Sequence, residues 1–170
     1  MKKALTLGYL ITLFACNETT QAQKSIDSSK GLKDYYKNYF PIGVAVMPSN
    51  LKGDEADHIL RQFNSLTPEN SMKMGPIHPE GNRYNWADAD SIVAFAQRNG
   101  LKVRGHALCW HNQTPPWLFK DSSGNGIAKE VLLKRLKEHI TTVVSRYKGK
   151  VYACCDSIVH RKESCLNCRR

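Results

Sequence analysis

Two hydrophobic periods alternate along this chain from residue 39 onward, and the alternation leaves few folds open. YFPIGVAV (39–46) has the pattern of a strand, with Gly43 leaving room for the close approach of a neighbour. GDEADHILRQF (53–63) then sets Ala56, Ile59, Leu60 and Phe63 on one helical stripe. FNSLTPEN (63–70) is a short strand that runs into Pro68, which forbids further helix or central ladder. WADADSIVAFAQRNG (86–100) places Ala89, Ile92, Val93 and Ala96 on one helical face. Asp88 and Asp90 fall in its favourable first turn, and Gly100 suits the position just past its end. LKVRGHALCW (101–110) is a third strand. AKEVLLKRLKEHITTVVSRYKG (128–149) is a long amphipathic helix expected to turn Leu132, Leu133, Leu136, Ile140, Val143, Val144 and Tyr147 inward. KVYACCDSIV (150–159) opens a fourth strand. A β-α-β-α-β-α-β order with turn signals between elements predicts a parallel α/β sheet with crossover helices. A closed barrel of eight such units takes about 250 residues. This chain supplies about half of that, so it is either a different fold or an incomplete barrel with two open sheet edges.

The first residues stand apart from this pattern. MKK is a short cationic start, and ALTLGYLITLFA is an apolar run of signal-peptide length, too short to span a bilayer as a helix. LFAC (13–16) resembles the lipobox of bacterial lipoproteins, in which Cys16 would carry a lipid and become the new amino terminus. Cleavage by ordinary signal peptidase near Gln23 is the alternative. Both routes predict export, to the cell envelope as a lipoprotein or freely secreted. The expected division is a leader and the start of a tether at 1–23, a polar linker at 24–37, the folded unit at 38–153 and a Cys-rich basic tail at 154–170. The formal charge of +10 is spread over helix faces, densest at Lys134, Arg135 and Lys137, and reads as a solvated surface rather than a nucleic-acid interface. Of six cysteines, Cys154, Cys155, Cys165 and Cys168 crowd the end. That is not the even framework of a disulfide-stapled domain.

The strand ends carry the chemistry. In parallel α/β architectures ligands bind beyond the carboxyl ends of strands. Here those ends hold Glu69, Asn70, Lys73, His106, Trp110, His111, Gln113 and Trp117. Sugars need such a set, because hydroxyls require paired donors and acceptors and flat pyranose faces require aromatic platforms. Each residue alone has a plainer reading. Glu69 can cap a turn, Lys73 can be a solvated lysine, Trp110 and Trp117 can be core, and Cys109 can be a small buried hydrophobe. His106 and His111 lack a third ligand, so no metal is expected.

FNSLTPENSMKM, RGHALCWHNQTPPWL and HITTVVSRYKGKVYA together resemble glycoside hydrolase family 10, the endo-1,4-beta-xylanases. The resemblance covers about residues 38–153 and implies the amino-terminal half of a (β/α)8 TIM barrel. It implies that Glu69, Asn70 and Lys73 bind xylose hydroxyls on the non-reducing side of the cleavage point. His106 and Trp110 would contact the sugar beside the scissile bond, with His111 and Gln113 supporting the hydrogen-bond network. The implied partner is xylan or xylo-oligosaccharide, and no cofactor is implied. The match fails after VYA, where the family continues into a strand like WDVVNE. Here an ungapped count puts Cys154 at the tryptophan, Ile158 at the asparagine and Val159 at the acid/base glutamate, and the nucleophile position falls beyond the last residue. Asp156 would face away from Val159 on a strand, so no replacement carboxylate pair is evident. The expectation is therefore a truncated xylanase, inactive alone. A non-catalytic xylan-binding module is the alternative, and a zinc or nucleic-acid adapter built on the cysteine tail ranks last.

Overall fold

The computed structural model describes residues 29–154. Strands β1 (Gly43–Val46), β2 (Ser65–Pro68), β3 (Lys102–Gly105) and β4 (Ala153–Cys154) form one sheet in the order β1-β2-β3-β4, with every neighbouring pair parallel. The crossovers are α2 (Gly53–Gln62), α4 (Ala87–Arg98) and α5 (Lys129–Tyr147), as the alternation of periods predicts. Parallel strands following one another in sequence order, each joined through a helix, are the progression of one half of a (β/α)8 barrel. Four short helical pieces were not anticipated: α1 (Leu32–Tyr35), α3 (Met74–Ile77) and the 3-10 turns Pro48–Leu51 and Pro116–Leu118. Among the described residues no helix is long and apolar enough to cross a membrane.

The two faces of the sheet differ. Val46, Leu66, Pro68, Val103 and Gly105 are buried beneath the helices. Ile59 of α2, Ile92, Val93 and Ala96 of α4, and Val143 and Tyr147 of α5 meet them in one core. Each such valine, leucine or isoleucine side chain contributes about 1.5–3 kcal/mol on burial. The opposite face presents Gly43, Ala45, Ser65, Thr67, Lys102 and Arg104, in register across β1, β2 and β3. Ala45, Lys102 and Arg104 on this face are exposed. Gly43 is not needed for close packing, since a Cβ there would lie an ordinary 3.5 Å from Ser65. At Gly105 a Cβ would come within 3.0 Å of Cys154 Sγ and 3.2 Å of Val151 Cγ1, so there the lack of a side chain lets β4 close onto β3.

Three expectations change. The stretch read as a linker over 24–37 contains α1 (Leu32–Tyr35), docked on α2 through Leu32 N–H to Gln62 Oε1 at 2.9 Å and Lys33 Nζ to the Leu60 carbonyl. Polar composition there marks a helix lying on the surface. The third strand ends at Gly105, because the apolar residues of 106–110 leave the ladder and turn over the sheet end. On α5, Val143 and Tyr147 point inward as expected, but Leu133 (54% exposed) and Val144 (37%) do not. These two are eleven residues apart, which places them on one stripe displaced from the buried one. Seven apolar positions span more of the helix than the core can cover. The leader with Cys16, and the tail from Cys155 with Asp156, Ile158 and Val159, lie outside the described residues.

Candidate functional site

The cluster is assembled where β2 and β3 end. After Pro68 the chain turns, with Glu69 N–H donating to the Val46 carbonyl at 2.9 Å, which ties the end of β2 to the end of β1. Lys73 N–H closes a turn onto the Asn70 carbonyl at 2.8 Å, and Lys73 then starts α3. The same turn brings Lys73 Nζ to Asn70 Oδ1 at 2.8 Å. The ammonium lies 5.2 Å from the centroid of the Trp110 ring, within cation-π range. The segment after β3 brings up the other wall. His106 lies 6.3 Å from Trp110, centroid to centroid, and His111 sits edge-on to Trp110 at 5.1 Å. Thr114 Oγ1 donates to the Trp110 carbonyl and fixes the turn that presents the indole.

His106 has a polar atom with nothing to do. Its Nδ1 is buried and has no hydrogen-bond partner among the described residues. A buried unpaired nitrogen is unfavourable, and such groups concentrate where a ligand or water completes them. Burial holds the His106 imidazole below its ordinary pKa, and the neighbouring Lys73 cation adds to that. It is therefore neutral at pH 7 and can both donate and accept. An ammonium, an amide, a neutral imidazole and an indole face within one cluster suit a neutral polyhydroxylated ring. They carry no nucleophile or metal-binding triad. Among the described residues no group of three His, Cys, Asp or Glu side chains could hold a metal ion.

Asn70, Lys73, His106, Trp110 and His111 come together. Glu69 is exposed on the adjoining turn. Gln113 is exposed and joins this region through its backbone, its carbonyl accepting Gly75 N–H at 2.8 Å. Trp117 belongs to a second cluster. Its Nε1–H donates to the His78 carbonyl at 2.9 Å and its ring lies 4.3 Å from the His78 ring. That second cluster contains two residues the sequence reading passed over, His78 and His139, whose Nδ1 atoms are 3.1 Å apart in the core. The signal for His139 is its spacing: His139, Val143 and Tyr147 follow one another at four residues on the buried stripe of α5.

The family model described as glycosyl hydrolase family 10 matches residues 31–157. An endo-1,4-beta-xylanase/feruloyl esterase of Xylanibacter ruminicola is 47% identical over 158 residues, 90% of this chain and 21% of its own length. The crystal structure of an endo-1,4-beta-xylanase from Caldicellulosiruptor owensensis is 49% identical with a TM-score of 0.71, over 74% of this chain and 38% of that one. A solved structure in complex with xylotriose is 43% identical with a TM-score of 0.71, covering 73% of this chain and 38% of its own. The chain thus spans between about a fifth and two fifths of the length of these relatives.

Proposed function

The chain belongs to glycosyl hydrolase family 10, and from that premise we propose that its strand-end cluster is one wall of a xylan-binding groove. The observation that carries this reading is the convergence of Lys73, Asn70, Trp110 and the unpaired His106 Nδ1 at the carboxyl ends of β2 and β3. Trp110 supplies the platform for a pyranose face. Asn70 and Lys73, already bonded to each other, share their remaining donor and acceptor capacity with ring hydroxyls. His106 Nδ1 takes a hydroxyl proton or a water. Glu69 and Gln113 on the adjoining turns complete or support the wall, and Trp117, packed on His78 in the second cluster, stands apart from it.

In the same proposal, endo-1,4-beta-xylanase chemistry with retention of configuration belongs to the family as a whole, and this chain alone binds without cutting. A retaining glycosidase acts through two carboxyl groups about 5–5.5 Å apart. On the segments that follow β1, β2 and β3 (47–52, 69–73 and 106–118), Glu69 is the single carboxylate. At the position of the family's acid/base glutamate an ungapped count finds Val159, and a valine moves no proton. Saturation-transfer NMR on the 170-residue protein tests the binding half of the proposal. Xylotriose ring protons are expected to receive magnetisation from the protein, and no transfer at millimolar sugar would overturn it. Export with Cys16 as the lipid anchor is part of the proposal. Radiolabelled palmitate incorporation, lost in Cys16→Ser, checks it.

A further inference from the structure

Two histidines sit in the core, and neither belongs to the strand-end cluster. His139, in the middle of α5, is fully buried, and His78, at the end of α3, is 3% exposed. His139 Nε2 lies 3.0 Å from the Leu108 carbonyl oxygen, and the two Nδ1 atoms lie 3.1 Å apart. His78 stacks on Tyr84 at 3.8 Å, and its Nε2 is 3.4 Å from the Gly81 carbonyl. Leu108 stands midway between His106 and Trp110, so its carbonyl is where the sugar-facing segment is tied to the helix behind it.

The donors fix the tautomers. A carbonyl only accepts, so His139 Nε2 carries the hydrogen. In the neutral ring its Nδ1 is then bare and accepts, so His78 Nδ1 carries the hydrogen between them. A first proton added to the pair can enter at His78 Nε2, where it turns the long contact with Gly81 into a hydrogen bond and leaves the ring-to-ring bond intact. A second proton has only His139 Nδ1 to go to, and it would set two N–H groups face to face at 3.1 Å. The pair accepts one proton in place and not two. We propose that His139 is a positioning residue for the 106–111 segment, that His78 selects its tautomer, and that double protonation releases the Leu108 carbonyl and loosens His106, Trp110 and His111.

The surroundings are consistent with this order of protonation. His78 borders a cleft of about 650 Å³ that Lys120, Asp121, Arg135 and Glu138 also line, so solvent reaches the pair from His78. Arg135 and Glu138 face it from α5, and Lys120 and Asp121 from the loop after Pro116–Leu118. The turn after α3 contributes Tyr84, while its Glu80 and Arg83 are paired with each other at 2.7 Å. Burial, reinforced by the charge on His78, holds His139 down to about 4.

Imidazole ¹⁵N and Leu108 ¹³C carbonyl NMR on the full 170-residue chain tests the proposal without requiring any sugar to bind. At pH 7 the wild type is expected to show the Nε2–H tautomer at His139 and the Nδ1–H tautomer at His78. The Leu108 carbonyl shift is expected to move together with the His139 ring as pH falls. His78→Asn keeps an N–H near the Nδ1 position and cannot titrate, so it should retain the wild-type Leu108 shift at pH 7. His78→Phe keeps the stack on Tyr84 and loses the donor, so it should move that shift. An Nδ1–H tautomer at His139, or a Leu108 shift indifferent to both pH and His78→Phe, overturns the proposal. The effect on sugar rests on the binding reading above. There His78→Phe should weaken xylo-oligosaccharide binding at pH 7 by on the order of tenfold, the effect of one buried hydrogen bond, and His78→Asn should not. If the wild type takes up no sugar, the binding reading fails while the carbonyl shift still decides the histidine pair.

Discussion

At Gln113 the backbone adopts a left-handed conformation, φ 58°, which side chains other than glycine enter at some cost. Its carbonyl is met by Gly75 N–H, and a Cβ on Gly75 would lie only 2.7 Å from that oxygen. Glycine at 75 is therefore what lets the turn after β2 dock against the loop after β3. Gly75→Ala is expected to destabilise the protein by about 1–3 kcal/mol, the usual consequence of overpacking, as read by urea unfolding. At Lys73 the relevant quantity is charge. Lys73→Met keeps the stem and removes the ammonium, so xylo-oligosaccharide affinity should fall by about tenfold or more. The same change should raise the midpoint of His106 in an NMR titration, because the Lys73 cation now holds it down. His139 gives a pH dependence of stability. Its folded pKa is about 4 against an unfolded value of 6.5. The unfolded chain takes up a proton that the native ring refuses, so the contribution is fully present above pH 6.5 and declines as pH falls toward 4. Unfolding free energy flat across that window would contradict it.

Between elements, the link from α4 to α5 is carried by Asp90. Its carboxylate accepts Arg146 Nε–H at 3.1 Å, a second Arg146 N–H, and the Tyr147 hydroxyl at 3.0 Å. The hydrogen bond from Arg146 holds the Asp90 carboxyl below its ordinary range. The ion pair is about two fifths exposed and so contributes little in itself. Asp90→Ala should cost about 1–2 kcal/mol, mainly by leaving the Tyr147 hydroxyl without its acceptor. Much at this scale is legible in the sequence. Ala89, Ile92, Val93 and Ala96 repeat at helical spacing because α4 has one face on the sheet, and Phe95 beside that stripe is buried with them. α5 reads less well, since Leu133 and Val144 are as apolar as Val143. Only the packing decides which stripe is inside, and there a histidine occupies the stripe. The strands are shorter than their apolar runs because hydrogen bonding to a neighbour, and not hydropathy, ends a ladder.

For the molecule as a whole, the decisive property is that, among the described residues, the helices cover one side of the sheet only. Parallel sheets are ordinarily covered on both faces. Here the uncovered side presents Ala45, Thr67, Lys102 and Arg104, with Ser65 Oγ 3.4 Å from the Tyr152 hydroxyl and Lys102 Nζ 5.9 Å from the Tyr152 ring. That polarity was not read from the sequence, because alternation within four-residue strands is easily lost inside a continuous apolar run. The candidate site was legible as a set of residue types at strand ends. Its division into a strand-end cluster and a histidine cluster that claims Trp117 was not, since Trp110 and Trp117 lie within one loop and only distance separates them. With Glu69 the single carboxylate on the segments after β1, β2 and β3, purified chain incubated with xylan should release no reducing sugar above background. Release at ordinary enzymatic rates would contradict that account. The central claim is that these side chains receive a xylose ring, and calorimetric titration with a β-1,4-linked xylo-oligosaccharide tests it most directly. Saturable heat is expected from the wild type and should vanish in Trp110→Ala with its circular dichroism unchanged. A folded wild type that gives no saturable heat, or a Trp110→Ala variant that binds as well as the wild type, would contradict it.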